Sequence, residues 1–290
     1  MRFKLALYVL CGLLAASVCF CRRTALAAGS EDDSKSFLDR FTKEEKALYL
    51  NAGVFAAIGI YGFFEWDYGE NSPHANSEGW FGRTTKHGGA DKLGHWWSAH
   101  AMSHLFSAVY SHWGYDQDRA NTYGALSSLG AQTFMELADS FSDFGLSYED
   151  LLMDLGGAVT GYIWGKYPAL ASKVDFRMEY TPDIKDTDFD PFTDYQNQRY
   201  LLAFKPEGFE RLRDTPLSFL ELHAGYFTRG YENHHEGGTD RRQRTLYVGI
   251  GINVGRVIRA LTSEKYHPWT RILNYFQIPY TDLRLDHDLD

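Results

Sequence analysis

Three pairs of ionisable residues stand at helical spacing in this sequence: Asp91 with His95, Glu136 with Asp139, and Asp150 with Asp154. Residues three or four apart on a helix project from one face, so each pair offers two groups to the same neighbour. Carboxylates and imidazole ligate divalent metals and exchange protons, so convergence of the pairs would have two chemical uses. Asp91, His95, Glu136, Asp150 and Asp154 are the candidate ligands of a divalent metal ion. Asp91, His95, Glu136, Asp139 and Asp154 are the candidate acid/base residues. No single pair is specific, and the case rests on their meeting. The same types also cap helices and pair inside bundles, with Asp91, Glu149 and Asp150 at helix starts and Lys92 and Arg119 as counter-ions.

The elements that must position these groups are helices. Thr42 followed by Glu45 is a capping-box start, and the 18 uncharged residues from Ala47 to Phe64 suit either a buried or a membrane-inserted helix. A long Gly/Asn/Ser-rich loop over 67–90 ends in Gly88-Gly89 and opens a helix over about 91–113. That helix carries no Asp, Glu, Lys or Arg from Leu93 onward. A third helix is predicted over about 117–139, where Gln132 extends the Glu136/Asp139 stripe. A fourth, capped by Ser147, is predicted over about 148–167 and ends before Pro168. In an up-down bundle, the start of the second, the end of the third and the start of the fourth share one end. The six groups then converge. Gly157, Gly161 and Gly165 form a stripe on the fourth helix, which calls for close contact with another helix.

Other histidines fall elsewhere. His100 and His104 lie half a turn from His95, so they are predicted to sit on a different face, near an interface. His234-His235-Glu236 is borne by a polar loop. Beyond about 172 the pattern changes to strands, at Phe176–Tyr180, Arg199–Phe204, Leu217–Thr228 and Arg244–Val254. In the last of these Leu246, Val248, Ile250 and Ile252 alternate with Tyr247, Gly249 and Gly251. Apolar-out, Gly/Tyr-in alternation also occurs in outer-membrane barrels, though four or five strands are too few to close one. A short amphipathic helix over about Arg256–Phe276, broken at Pro268, and an acidic tail complete the chain. The expected fold class is α+β: an apolar four-helix bundle, then an antiparallel β region and a C-terminal amphipathic helix. The expected divisions are 1–28, 29–41, 42–170 and 171–290.

Residues 1–28 read as an export signal, with Arg2 and Lys4, an apolar run from Leu5 to Phe20, and Ala25-Leu26-Ala27 at the cleavage site. Arg22 and Arg23 also leave an uncleaved anchor open. Cys11, Cys19 and Cys21 all fall inside this segment, so the remainder has no thiol or disulfide chemistry. It carries 25 basic against 38 acidic residues, a net charge of −13, which excludes nucleic acid as a partner on charge grounds. An aromatic content of 16% fits a lipid–water boundary. Phosphate-binding glycine loops, the nucleophile elbow, His-Glu-x-x-His and Cys-x-x-Cys are absent.

Taken together, Trp80-Phe81-Gly82, Gly88-Gly89-Ala90-Asp91-Lys92-Leu93-Gly94-His95, Glu136-Leu137-Ala138-Asp139-Ser140-Phe141-Ser142, Gly145-Leu146-Ser147-Tyr148-Glu149-Asp150-Leu151 and Asp154-Leu155-Gly156-Gly157 resemble the YfiM-like family. Those are predicted periplasmic lipoproteins of unknown function, and the resemblance covers about 45–170. The chain is also similar, more distantly, to VanZ-like membrane proteins, through an Asp-Lys-x-x-His start, a later Glu and an Asp-x-x-x-Asp-x-x-Gly helix. The resemblance implies a helical bundle in the cell envelope and no established reaction. The chain departs from the lipoprotein pattern, because Val18 and Phe20 precede Cys19 and Cys21 where a lipobox has Gly or Ala.

Two functions follow as expectations. One is a periplasmic, membrane-associated envelope protein whose Asp/His/Glu cluster is structural or binds a ligand, with membrane lipid or another envelope protein as partner. The other is a hydrolase or transferase acting on an envelope lipid or glycan through that cluster.

Overall fold

The computed structural model describes residues 40–182, 190–231 and 241–290. The expected export segment with its cysteines, most of the expected leader, and His234-His235-Glu236 lie outside the described residues. Helix α1 spans Lys43–Glu65, α2 Ala90–His112, α3 Gln117–Asp139 and α4 Tyr148–Lys166. The starts follow from local chemistry. Thr42 and Glu45 form the capping box, Asp116 Oδ1 accepts from the Arg119 amide at 3.0 Å, and Ser147 Oγ accepts from the Asp150 amide at 3.2 Å. After α4 the chain turns at Tyr167 into a four-residue helix α5, Pro168–Ala171, with the proline in its first turn where no amide is needed.

Helices α2, α3 and α4 pack on one another, and α1 lies along the outside of α3. The glycine stripe explains how closely α4 approaches α2. A Cβ on Gly157 would sit 2.3 Å from the Trp96 carbonyl oxygen, and one on Gly161 would sit 2.5 Å from the Ser103 Cβ. On α1, Ala47, Leu50 and Val54 rest on the Phe106/Tyr110 cluster, and Phe55 stacks on Phe134. The rest of α1 is open. Among its residues only Tyr61 and Gly62 are buried, while Leu48 and Phe63 are each 65% exposed. A core helix is therefore not what the apolar run builds. It is the one described helix long and apolar enough to cross a membrane by length and composition.

Strands β1 (Val174–Tyr180), β2 (Gln198–Phe204), β3 (Leu220–Arg229), β4 (Gln243–Ile252), β5 (Phe276–Gln277) and β6 (Asp282–Asp288) form one sheet in the order β5-β1-β2-β3-β4-β6. Between β2 and β3 runs the four-residue helix α6, Glu210–Arg213. All strand pairs are antiparallel except β1 with β5. The stretch expected to be an amphipathic helix broken at Pro268 comprises α7, Val254–Leu261, and a 3-10 stretch, Glu264–Asn274, that contains Pro268. The acidic tail is strand β6, whose Leu283 and Leu285 pair with Ile250 and Val248. Alternation in Asp282-Leu283-Arg284-Leu285 carries that strand signal, and the density of charge hides it.

The sheet is curled. Arg284 Nη1 on β6 lies 3.6 Å from Glu179 Oε1 on β1, although three strands separate the two in the sheet order. A flat sheet would hold those strands about 19 Å apart at ~4.8 Å per step. The concave face buries charges: Arg177 pairs with Asp175 at 2.6 Å and Glu221 at 2.7 Å, and His223 bridges Glu221 and Asp282 at 3.3 and 3.2 Å. The convex face is apolar. Its Phe176, Met178 and Tyr200 pack on Ala90, Leu93, Trp96 and Trp97 of α2, while Leu222, Ile250, Leu283 and Leu285 of the same face are exposed. The polar-in, apolar-out alternation seen in the sequence is real, and α2 covers only part of the apolar side.

We expect Gly157→Ala to destabilise the protein by about 1–3 kcal/mol, because the new methyl meets backbone that cannot move without parting α2 from α4. Gly53→Ala, with nothing within 4 Å of the added carbon, should stabilise by up to ~1 kcal/mol. Denaturant titration of the two variants checks the contrast.

Candidate functional site

Local geometry delivers the charges. Gly88 and Gly89 both have positive φ, 65° and 89°, and turn the chain into α2 with Asp91 and Lys92 in its first turn. The preceding loop is laced to the turn between α3 and α4, through His74 with Ser140 and Leu146, and Asn71 with Asp143 at 2.7 Å. This brings in Ser77-Glu78-Gly79. Ser77 Oγ and the Gly79 amide donate to Glu149 Oε1 at 2.6 and 3.2 Å.

Two centres result. In the first, the fully buried Lys92 ammonium reaches Asp91 Oδ2 at 2.8 Å, Asp150 Oδ1 at 2.8 Å and Glu78 Oε2 at 2.9 Å. Burial opposes the ammonium charge, but the three carboxylates outweigh it and hold the Lys92 pKa above its ordinary value. Burial pushes the Asp91 carboxyl up to about 6 despite Lys92. Oxygens of Glu78, Asp91 and Asp150 lie within 4.8 Å of one another, as metal ligands would. Lys92 already supplies their cation, so this set is a closed ion cluster.

The second centre surrounds His95. Its Nδ1 is 3.1 Å from Asp154 Oδ1 and 3.7 Å from Glu136 Oε1, and its Nε2 is 3.8 Å from Asp150 Oδ1. Asp150 thus stands between the two centres. Gln132 Nε2 donates to Asp154 Oδ1 at 3.0 Å, and the Ser147 amide donates to Glu136 Oε2 at 3.2 Å. Asp154 is fully buried, and its Oδ2 has no hydrogen-bond partner among the described residues. One ligand atom each from His95, Glu136 and Asp154 lies within 4.8 Å of the others. The His95 side chain keeps 12% exposure, the most in this centre.

Electrostatics here are unbalanced. Glu78, Asp91, Glu136, Asp139, Asp150 and Asp154 face Lys92 and His95. Burial disfavours a charged His95, but Asp150, Asp154 and Glu136 raise its pKa well above the ordinary histidine value. Burial pushes Glu136 up to about 8; His95 pulls it down, and Asp150, Asp139 and Asp154 push it further up. Asp150 is held below its ordinary value because His95 and Lys92 outweigh its burial.

Of the sequence candidates, His95, Glu136 and Asp154 meet directly, Asp91 goes to the Lys92 centre, and Asp150 joins both. Asp139 is set back, half-buried beside Tyr68, with its carboxyl pushed up to about 6 chiefly by burial. Asp91 and His95, which share a helix face, therefore serve different centres. Glu78 is not among the sequence candidates, because no helical spacing marks a loop carboxylate; the length of its loop is the only sequence hint. Glu149 binds that loop and takes no part in either centre.

Residues 77–166 match a family model described as predicted periplasmic lipoprotein (DUF2279), a family of unknown function in the cell envelope. The match runs from the loop bearing Glu78 to the end of α4, so it includes every member of both centres. No curated protein and no solved structure matches the chain.

Lys92→Met should destabilise by about 3–5 kcal/mol, since it strands three buried carboxylates, and adding Asp150→Asn should recover part of the loss. A pH dependence follows from Glu136. The folded protein keeps a proton that the unfolded chain releases above about pH 4.5, so this group's contribution is complete below that pH. It is lost as pH rises to about 8. His95 works in the same direction, because its raised pKa contributes fully below 6.5 and the contribution disappears as pH rises through the raised value. Glu136→Gln should remove a penalty on the order of a few kcal/mol at the upper end and flatten the slope. Denaturation in chelator-containing buffer near pH 4.5 and near pH 8 measures it.

Proposed function

We propose that this chain is a membrane-associated protein of the cell envelope whose three-helix centre binds a divalent metal ion through His95, Glu136 and Asp154. The observation that carries the reading is Asp154, a fully buried carboxylate with an unpartnered oxygen in a centre where carboxylates outnumber cations. A buried carboxylate needs a hydrogen bond, a proton or a cation, and a divalent ion supplies charge to all three ligands at once. One imidazole and two carboxylates are a donor set that zinc, manganese and iron accept, with room for water at a fourth position. The exposed side of α1 and the convex flank of the sheet supply the membrane contact, and the family description agrees with an envelope location. On this reading the kinship is with YfiM-like proteins and, further off, with VanZ-like membrane proteins, through Asp91-Lys92-Leu93-Gly94-His95.

A second reading has one observation in its favour. His95 retains access and has a carboxylate behind it, the arrangement of an oriented acid/base. A hydrolase or transferase acting on an envelope lipid or glycan would use that pair. Turnover of a labelled phospholipid or glycan panel that disappears in Glu136→Gln would establish it, and absence of turnover by the metal-loaded protein would exclude it for those substrates.

Elemental analysis of the purified full chain should show stoichiometric divalent metal that Asp154→Asn and His95→Ala lose while remaining folded. Metal-free wild-type protein that also fails to take up zinc or manganese in calorimetry, or equal retention by both variants, overturns the metal site. Cell fractionation should place the chain with membranes, and wholly soluble recovery overturns that part.

A further inference from the structure

The metal centre leaves unused a cleft of about 640 Å³ between the bundle and the convex face of the sheet. That volume falls within the roughly 300–1,000 Å³ of small-molecule sites, and it is too small for a packed helix. One wall is Trp96, His100 and Trp164 from α2 and α4, and the other is Phe176, Ala224 and Val248 from the sheet. Most polar side-chain atoms along it are already committed elsewhere. The Trp96 indole donates to Thr160 Oγ1 at 3.0 Å and the Trp164 indole to the Val174 carbonyl at 2.7 Å. The hydroxyls of Tyr200 and Tyr226 donate to Gln198 and to the Gly88 carbonyl.

Two lining residues are exceptions: Tyr247, whose unpartnered hydroxyl belongs to a ring on the concave side by Phe227 and Arg284, and, on the helical wall, His100. Its side chain is only 2% exposed, yet its imidazole makes no hydrogen bond among the described residues, and Nδ1 is buried without a partner. Its neighbour His104 shows what satisfaction looks like, with Nε2 on the Gly161 carbonyl at 2.8 Å and Nδ1 on Tyr275 Oη at 2.7 Å. Burial, and then His104, push His100 down to about 3, so it is neutral and offers one N–H and one lone pair. Leaving such a group unpaired costs about 1–3 kcal/mol. A ligand that suits the cleft is elongated and apolar, uncharged where it meets the protein, and able to bring one hydrogen-bonding group to an imidazole.

We infer that the cleft holds an acyl chain of a membrane phospholipid, with an uncharged oxygen of the chain accepting a hydrogen bond from His100. The commitment to phospholipid comes from continuity. The outer rim of the cleft, Leu246, Val248 and Leu285, is exposed and runs into Leu222, Ile250 and Leu283 on the same convex face. The source of the lipid rests on the membrane association proposed above; the cleft itself does not. A free charged headgroup has no counter-charge inside, so it stays at the rim with His287.

The experiment has two arms on the purified full chain. In solution, lysophosphatidylglycerol with a brominated acyl chain, kept below its micelle concentration, should quench Trp96 and Trp164 on binding. Ala224→Trp, which fills the cleft from a partly open position, should abolish saturable quenching, and His100→Leu should weaken binding about tenfold. Flotation with phosphatidylglycerol/phosphatidylethanolamine vesicles reports the membrane face separately. Flotation without saturable quenching overturns the cleft and leaves the membrane reading; saturable quenching without flotation does the reverse. Quenching that is unchanged in folded Ala224→Trp, or binding of a brominated alkane that His100→Leu weakens equally, overturns the assigned ligand geometry.

Discussion

A lysine ammonium with no solvent contact is the constraint on which the helical half depends. Lys92 can remain charged there only if its hydrogen-bonding positions are filled by anions, and those anions come from the loop, from α2 itself and from α4. Satisfying one ammonium therefore fixes where the loop crosses, how α4 begins and which end of the bundle becomes polar. The His95 centre lies next door because Asp150 serves both cations. Once α2 and α4 are held at that distance, only glycine fits at 157 and 161, so the small-residue stripe and the ion cluster are two halves of one requirement.

Much of the helical half was legible because its signals are local. Thr42/Glu45, Ser147 and Pro168 mark helix ends by chemistry that acts within a few residues, and the three i, i+3/i+4 pairs report their faces directly. The division of those pairs between two centres was not legible. It depends on Glu78, whose position is set by backbone hydrogen bonds between the loop and the turn near Leu146, and no sequence spacing records that contact. In the β half, β4 was readable from alternation. Strand β6 was not, because Asp282, Arg284, Asp286 and Asp288 look like a solvated tail until Arg284 and Asp282 are seen facing the buried concave side.

Both halves place polarity the same way. The bundle keeps Asp91, Lys92, Glu136, Asp150 and Asp154 buried at one end and turns Leu126, Leu152 and Val159 outward. The sheet keeps Arg177, Glu179, Glu221 and His223 on its concave side and turns leucines and isoleucines outward. Water-soluble domains favour the opposite arrangement, since exposed contiguous apolar surface is a standing liability. In both halves, buried charge and exposed apolar surface therefore go together.

The curl of the sheet also orders its assembly. Arg177 and Gln277 meet across 100 residues of chain, and β1 has no partner on its β5 side until residues 276–277 arrive. A chain made from its N-terminus has completed the bundle and four strands before either closing strand exists. The concave charges are thus completed from the far end of the chain: Arg177 waits for Gln277 and His223 for Asp282, so neither has its full set of partners until the last strands are made.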